Sequence, residues 1–139
     1  EIKDNIKEKA GIVLADKTQI QDVMINMCNN AVYAMKENGG TIEVSLTDIY
    51  IDNQSLYSEF IPGHYIKLTV RDTGTGMDSR VKERIFEPFF TTKKEGEGSG
   101  MGLAIVHGIV KGHNGEILVE SETGKGSSFH IFLPVIKSE

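Results

Sequence analysis

The longest regular pattern in the chain is a spacing of three and four between apolar residues over positions 18–37, which predicts an amphipathic helix. Asp16 precedes this segment and is suited to cap its first turn, and the Asn-Gly-Gly run at 38–40 would end it. Similar spacing predicts shorter helices over 79–85 and 102–111. The inward face of the long helix would be formed by Ile20, Val23, Met24, Met27, Ala31, Ala34 and Met35.

Alternation of apolar and polar residues predicts strands in the remaining regular segments. The predicted strands are 41–51, 65–70, 116–121 and 128–133, and short apolar-bearing pieces lie at 1–6 and 11–14. Residues 52–63 read as a polar loop, and 86–100 have no periodicity and read as a mobile loop. Because strands and helices mix without strict alternation, we expect an α/β two-layer sandwich.

Composition narrows the class of protein. The chain has 139 residues, of which 39% are apolar and 25% charged, so we expect one globular domain over 1–139 that needs no disulfide or metal. It lacks the pattern of a signal peptide or a membrane span, and Cys28 is its single cysteine, which favours a cytoplasmic setting. The net charge of −5 argues against binding nucleic acid. Eleven of the 15 glycines lie between positions 72 and 126.

Asn26 and Asn30 lie four residues apart and therefore share one face of the predicted long helix. An amide oxygen can coordinate a hard cation such as magnesium together with phosphates and water. The alternative is that these amides face solvent, and the pair alone favours that alternative.

The segment from Asp72 to Gly76 reads Asp-Thr-Gly-Thr-Gly and follows a predicted strand. An ionised carboxylate is an acceptor suited to the amino group of a purine, and Gly74 with Gly76 would let the backbone turn sharply or approach a flat ligand. An ordinary turn capped by Asp72 explains the same residues.

Gly98, Gly100 and Gly102 alternate just before the third predicted helix. Exposed backbone amides at a helix N-terminus form an anion site, while a flexible linker is the alternative. Lys93 and Lys94 could reach phosphate oxygens or could simply be solvated. Upstream, three aromatic residues around a proline predict an anchor that faces the core, namely Phe86, Phe89 and Phe90.

The order of these motifs, closed by Gly124, Gly126 and Ser127, resembles the N, G1, F, G2 and final glycine boxes of the histidine kinase catalytic, ATP-binding domain. The resemblance covers 15–134, and the stretch 84–93 is similar to kinases of hybrid and nitrogen-regulatory type. It implies the Bergerat fold, in which a mixed sheet of about five strands packs on about three helices, with a lid over ATP.

The resemblance also implies a role for each matching residue. Asn30 would hold Mg²⁺ and serve as the catalytic residue, Asp72 would accept the adenine amino group, and Ser127 would add a hydroxyl near adenine. Gly74 and Gly76 would give room for the base. The ATP-binding residues implied in this way are Asn26, Asn30, Asp72, Gly74, Gly76, Phe90, Thr92, Lys93, Gly100, Met101, Gly102, Leu103 and Ser127.

The implied activity is donation of the γ-phosphoryl group of Mg-ATP to a histidine of a dimerisation and phosphoacceptor domain, followed by a response regulator receiver domain. The parent would be a homodimer, and this domain would touch neither membrane nor nucleic acid. No segment matches the phosphoacceptor motif, so the chain is expected to be an excised catalytic piece that is inactive alone.

The chain departs from the resemblance at three positions. Related ATPases carry a glutamate base where this chain has Asn26, which implies slow hydrolysis of ATP. Many histidine kinases have lysine where this chain has Tyr33, which would leave phosphate neutralisation to Lys93. Ser127 replaces the usual threonine and keeps the hydroxyl. Two alternatives stay open: a serine kinase of the anti-sigma type, and a nucleotide-binding interaction module without transfer activity.

Overall fold

A computed structural model of the chain describes residues 2–6, 17–52, 60–90 and 102–135. These residues form five strands and three helices, the numbers that the resemblance implies. In chain order the elements are β1 (Ile2–Ile6), α1 (Lys17–Ala34), β2 (Ile42–Ile51), β3 (Gly63–Asp72), α2 (Ser79–Arg84), α3 (Gly102–Gly112), β4 (Glu116–Glu122) and β5 (Gly126–Pro134).

The strands form one mixed sheet in the order β1-β2-β3-β5-β4. β1 runs parallel to β2, and the other neighbouring strands are antiparallel. The mixed sheet implied by the resemblance is therefore confirmed. β3 pairs with β2 along one edge and with β5 along the other, so it carries its last residue, Asp72, into the middle of the sheet.

The main core lies between one face of the sheet and helices α1 and α3. Its most deeply buried side chains come from α1 (Val23, Met27), β3 (Val70), α3 (Val106) and β5 (Phe129), each at most 1% exposed. Burying a side chain of this size stabilises the fold by about 1.5–3 kcal/mol. The two-layer sandwich expected from the sequence is confirmed, because both long helices pack on the same face.

The other face of the sheet carries a smaller apolar cluster at one end. Phe60 packs edge-on against Phe132, with ring centroids 4.9 Å apart, and Tyr65 and Ile51 complete the cluster. The Tyr65 hydroxyl donates to the carbonyl of Ile61 at 2.6 Å, which ties the segment before β3 to this face.

Helix α1 ends at Ala34, three residues before the predicted end. Beyond that point the backbone tightens: the amide of Lys36 donates to the carbonyl of Tyr33 at 3.2 Å, and that of Gly39 donates to Met35 at 2.8 Å. Gly39 has a φ of +65°, a conformation that glycine adopts without strain. The predicted cap, Asp16, lies outside the described residues.

β3 is longer than the predicted 65–70, because it has a partner strand on both sides. Asp72, which the sequence places after the end of the strand, is instead the last residue of β3 and pairs with both Ile42 and Ser127. That prediction is wrong, and the correction places the carboxylate inside the sheet rather than on a free turn. β5 likewise begins at Gly126 and not at 128.

Helix α3 ends through Asn114, which has a φ of +61°, although the sequence points to Gly112 and Gly115. The amide of Gly115 donates to the carbonyl of Val110 at 2.9 Å, as in a Schellman motif. Gly115 is needed for another reason, since a Cβ there would overlap the carbonyl oxygen of Phe132. Among the described helices, none has the length and hydropathy that a membrane crossing requires.

Candidate functional site

Asp72 is a buried carboxylate at the end of β3, with 3% of its surface exposed. Its Oδ1 accepts from the backbone amide of Gly74 at 2.9 Å. Burial raises the pKa of Asp72, and hydrogen bonds from the backbone amides of Gly74 and Ser127 oppose that rise only in part. A further donor, such as an amino group of a ligand, would stabilise the ionised carboxylate in this poorly solvated place.

The two glycines after Asp72 allow its turn to pack tightly against two other segments. A Cβ on Gly74 would lie 2.5 Å from the carbonyl oxygen of Ala34, which accepts from the amide of Thr75 at 3.1 Å. Gly76 has a φ of +68°, and a Cβ there would overlap the carbonyl oxygen of Glu122. Backbone packing therefore requires both glycines, and the room for a base that the resemblance implies stays a prediction.

Ser127 lies opposite Asp72 in the β3–β5 register and is also buried. Its hydroxyl is 2.7 Å from that of Ser121, which accepts from the amide of Met77 at 2.8 Å. Ser121 thereby links β4, β5 and the turn formed by residues 72–77, called here the Asp72 turn, a role that the sequence did not predict. Ser121 is the next residue in the alternation that turns Ile117 and Val119 of β4 towards the core. A polar side chain at such an inward-facing position was the available signal.

One face of α1 connects the Asp72 turn to the start of α3. Asn26, Asn30 and Ala34 lie four residues apart on this face, and Asn30 is half-buried between the other two. The Asn26 Nδ2 donates to the carbonyl of Asp22 at 2.8 Å, while its Oδ1 would lie 3.0 Å from a Cβ on Gly102. The eight helical steps from Asn26 to Ala34 span about 12 Å.

The aromatic anchor predicted after α2 is present only in part. Phe86 and Phe90 pack against the main core, and the Arg84 guanidinium lies 4.5 Å from the centroid of the Phe90 ring. Phe89 is 76% exposed with a φ of +66°, so the prediction that it faces the core is wrong.

Among the remaining predicted ATP-binding residues, Leu103 packs against the core from α3. Four predicted ATP-binding residues lie outside the described residues: Thr92, Lys93, Gly100 and Met101.

A cleft of about 610 Å³ opens between the end of α1, the Asp72 turn and the β4–β5 turn. Its volume lies within the roughly 300–1,000 Å³ of small-molecule sites. Tyr33 and Gly74 are among its walls, and the Lys36 Nζ lies 4.4 Å from the centroid of the Tyr33 ring. From the sequence, Tyr33 is only a departure from the lysine of many histidine kinases, with no predicted contact to a ligand.

The part of the chain that the structure describes holds no group of three or more His, Cys, Asp or Glu side chains able to hold a metal. Asn30 lies on the face of α1 that also carries Asn26 and Ala34, and an amide oxygen such as that of its side chain can coordinate a hard cation. Mg²⁺ suits such a site, because it retains several waters and is often bound through substrate phosphates with few protein ligands.

Comparisons with known proteins show the family to which the chain belongs. Residues 15–137 match the model of the family described as histidine kinase-, DNA gyrase B- and HSP90-like ATPase. The chain is 45% identical over 129 residues to the sensor kinase CckA of Brucella abortus (strain 2308), covering 91% of this chain and 14% of that protein. It is 37% identical over 123 residues to the sensor histidine kinase ZraS of Escherichia coli (strain K12), covering 88% and 23%.

Solved structures give the same result. The catalytic domain of histidine kinase ThkA, in a nucleotide-free form, matches with a TM-score of 0.75 and 31% identity over 97% of this chain and 78% of that one. Full-length ShkA in complex with AMPPNP matches with a TM-score of 0.77 and 27% identity over 99% and 26%. The chain thus spans less than a quarter of the two curated relatives. It belongs to the histidine kinase-, DNA gyrase B- and HSP90-like ATPase family, and its relatives there are sensor histidine kinases.

Proposed function

We propose that this chain binds Mg-ATP and donates the γ-phosphoryl group to a histidine of a dimerisation and phosphoacceptor domain in a two-component sensor kinase. The observation that carries the proposal is helix α1, which touches the Asp72 turn at Ala34 and the start of α3 at Asn26. The separation of about 12 Å suits a nucleotide laid along the helix, with its base at one end and its phosphates at the other.

At the base end, Asp72 accepts the amino group of adenine, with Ser127 adding a hydroxyl beside it. Burial raises the pKa of Asp72, so its ionised form gains from each added donor. A base that presents a carbonyl oxygen at the same point would repel the carboxylate. Asp72 therefore favours adenine over guanine.

At the phosphate end, Asn26 lines the phosphate region, and the backbone amides of Gly102 and Leu103 face the phosphates at the start of α3. Lys93, Thr92, Gly100 and Met101 would add contacts from the segment before α3. Asn30 would hold the magnesium ion, which would neutralise phosphate charge during transfer. Phosphoryl transfer depends mainly on positioning and charge neutralisation, and these residues supply both.

Position 26 carries an amide and not a carboxylate, so the chain has no general base there to activate water. The γ-phosphoryl group is accordingly kept for an imidazole that attacks in line from another domain. That domain, a response regulator receiver domain and a homodimeric parent complete the proposed system, in the cytoplasm where ATP is available. In this proposal the chain binds the nucleotide, and the acceptor histidine belongs to that other domain.

Calorimetry with ADP and ATP, each with and without Mg²⁺, tests the proposal on the 139-residue chain. We expect ATP to bind more tightly with Mg²⁺, and Asn30→Ala to lose most of that gain. Asn29→Ala is the matched control, because Asn29 is the adjacent asparagine on the exposed side of α1 and should leave binding unchanged.

Two results would overturn the proposal. If neither nucleotide binds, the chain is not an ATP-binding domain. If ATP binds equally well with and without Mg²⁺, Asn30 does not hold the metal.

A further inference from the structure

We propose that Tyr33 forms a wall of the nucleoside part of the site, so that its ring contacts the base and ribose and not the phosphates. This inference rests on the proposed function and assigns a role to the position where the resemblance expects a phosphate-directed lysine. It makes Tyr33 a residue that sets affinity for the nucleoside, independent of magnesium.

The first support is the place of Tyr33 along α1. It precedes Ala34, whose carbonyl accepts from the amide of Thr75 in the Asp72 turn at 3.1 Å. Asn26, which marks the phosphate end, lies seven residues earlier, or about 10 Å along the helix axis. Tyr33 is therefore at the end of α1 where the base would lie.

The second support is the cleft. Tyr33 lines it together with Gly74, whose amide donates to Asp72 Oδ1 at 2.9 Å. The cleft thus adjoins the carboxylate that would recognise the base. A nucleoside held by Asp72 would meet Tyr33 as the only aromatic wall among the described lining residues.

The third support is the chemistry of the ring. Tyr33 is half-buried, and Lys36 lies three residues later with its Nζ 4.4 Å from the ring centroid. The ammonium is attracted to the face of the ring over which it lies. A flat aromatic ring suits contact with a planar base or a ribose, and the tyrosine side chain itself, unlike a lysine at this position, carries no positive charge for a phosphate.

Calorimetry of Tyr33→Ala with AMP, ADP and ATP tests this assignment. Loss of an aromatic contact to a base weakens binding about tenfold, and we expect that factor for all three nucleotides, with or without Mg²⁺. Tyr33→Phe should keep affinity within about threefold, since the ring remains. Val32→Ala is the matched control, because Val32 is the neighbouring residue and is 57% exposed.

The outcomes separate this inference from the proposed function. If the unmutated chain binds nucleotide and Tyr33→Ala binds it equally well, Tyr33 is not part of the site. If the loss appears only for ATP, or only with Mg²⁺, the ring acts at the phosphates and the inference is wrong. If the unmutated chain binds no nucleotide, the proposed function itself fails. Thermal melting of each variant without ligand verifies that it is folded.

Discussion

The two ends of the proposed nucleotide site, the base end at Asp72 and the phosphate end at the start of α3, are built in different ways. At the base end, Asp72 is 3% exposed, and neither Gly76 nor Gly126 has room for a Cβ against the neighbouring backbone. At the phosphate end, the close approach joins Gly102 to the side chain of Asn26, at 3.0 Å for an added Cβ. The close contacts at the base end are therefore between backbone atoms, whereas the close contact at the phosphate end is between the backbone and a side chain that can move.

This difference has a consequence for stability and function. The residues that would recognise the base also hold β3, β4 and β5 together, so the proposed recognition there would be preorganised by the fold itself. The residues that would meet the phosphates contribute little to packing between strands. Changes at the base end should therefore affect folding and binding together, while changes at the phosphate end should affect binding alone.

Gly76→Ala is expected to have the largest effect. The new Cβ would overlap the carbonyl oxygen of Glu122, and the φ of +68° would strain any residue with a side chain. We expect the free energy of unfolding to fall by about 3 kcal/mol, measured by urea denaturation.

Gly124→Ala is the matched control for Gly76→Ala. Gly124 has a φ of +82°, yet no atom lies within 4 Å of an added Cβ, so only the backbone strain of about 1 kcal/mol applies. Equal losses in the two variants would show that close packing at Gly76 is unimportant, and the contrast between the two ends would then lose its main support.

Gly102→Ala tests the phosphate end and should behave in the opposite way. Alanine is the better helix former, so the free energy of unfolding should change by less than about 1 kcal/mol. The added methyl would push the Asn26 side chain by a few tenths of an ångström and weaken ATP binding severalfold. Calorimetry and urea denaturation on the same variant give both values. A loss of stability as large as that of Gly76→Ala would mean that the two ends are built alike.

The sequence predicts the elements of this fold better than the contacts at the base end. Periodicity predicted the three helices and the four strands β2 to β5, whereas the mixed sheet and the family came from the resemblance carried by the order of the motifs. The position of Asp72 within β3 was missed because a strand with two partners extends beyond its alternating core. Propensity near the Asp-Thr-Gly run favours a turn, and tertiary pairing overrides it.

The reason for the site glycines also could not be read from the sequence. A glycine motif indicates unusual backbone geometry, but not which atom approaches it. Only the structure shows that Gly74 lies against Ala34 and Gly76 against Glu122, far apart in sequence. Ser121 was missed for a related reason, because its partners, Met77 and Ser127, come from separate strands and turns.

The prediction with the smallest expected effect concerns pH. It compares the pH dependence of the stability of the fold with the pH dependence of nucleotide binding at the base end. His130 lies on β5, where its Nε2 is 2.7 Å from Glu120 Oε1 and its Nδ1 is 2.9 Å from Thr69 Oγ1. Burial lowers the pKa of His130, the charge of Lys67 lowers it further, and Glu120 opposes both. As pH falls below about 6.5, the unfolded chain takes up this proton before the folded chain does, so stability decreases.

His130→Gln removes this titration while leaving Asp72 and its turn in place. The melting temperature of the unmutated chain should fall between about pH 7.5 and pH 5.5, and that of the variant should fall less, because one of the groups linked to unfolding is gone. The pH dependence of ATP affinity should be the same in both proteins, since Asp72 is unchanged. If the variant instead altered the pH dependence of ATP binding, the Asp72 carboxylate would be coupled to His130 on the face of the sheet away from the helices. The base end could then not be treated as an independent unit.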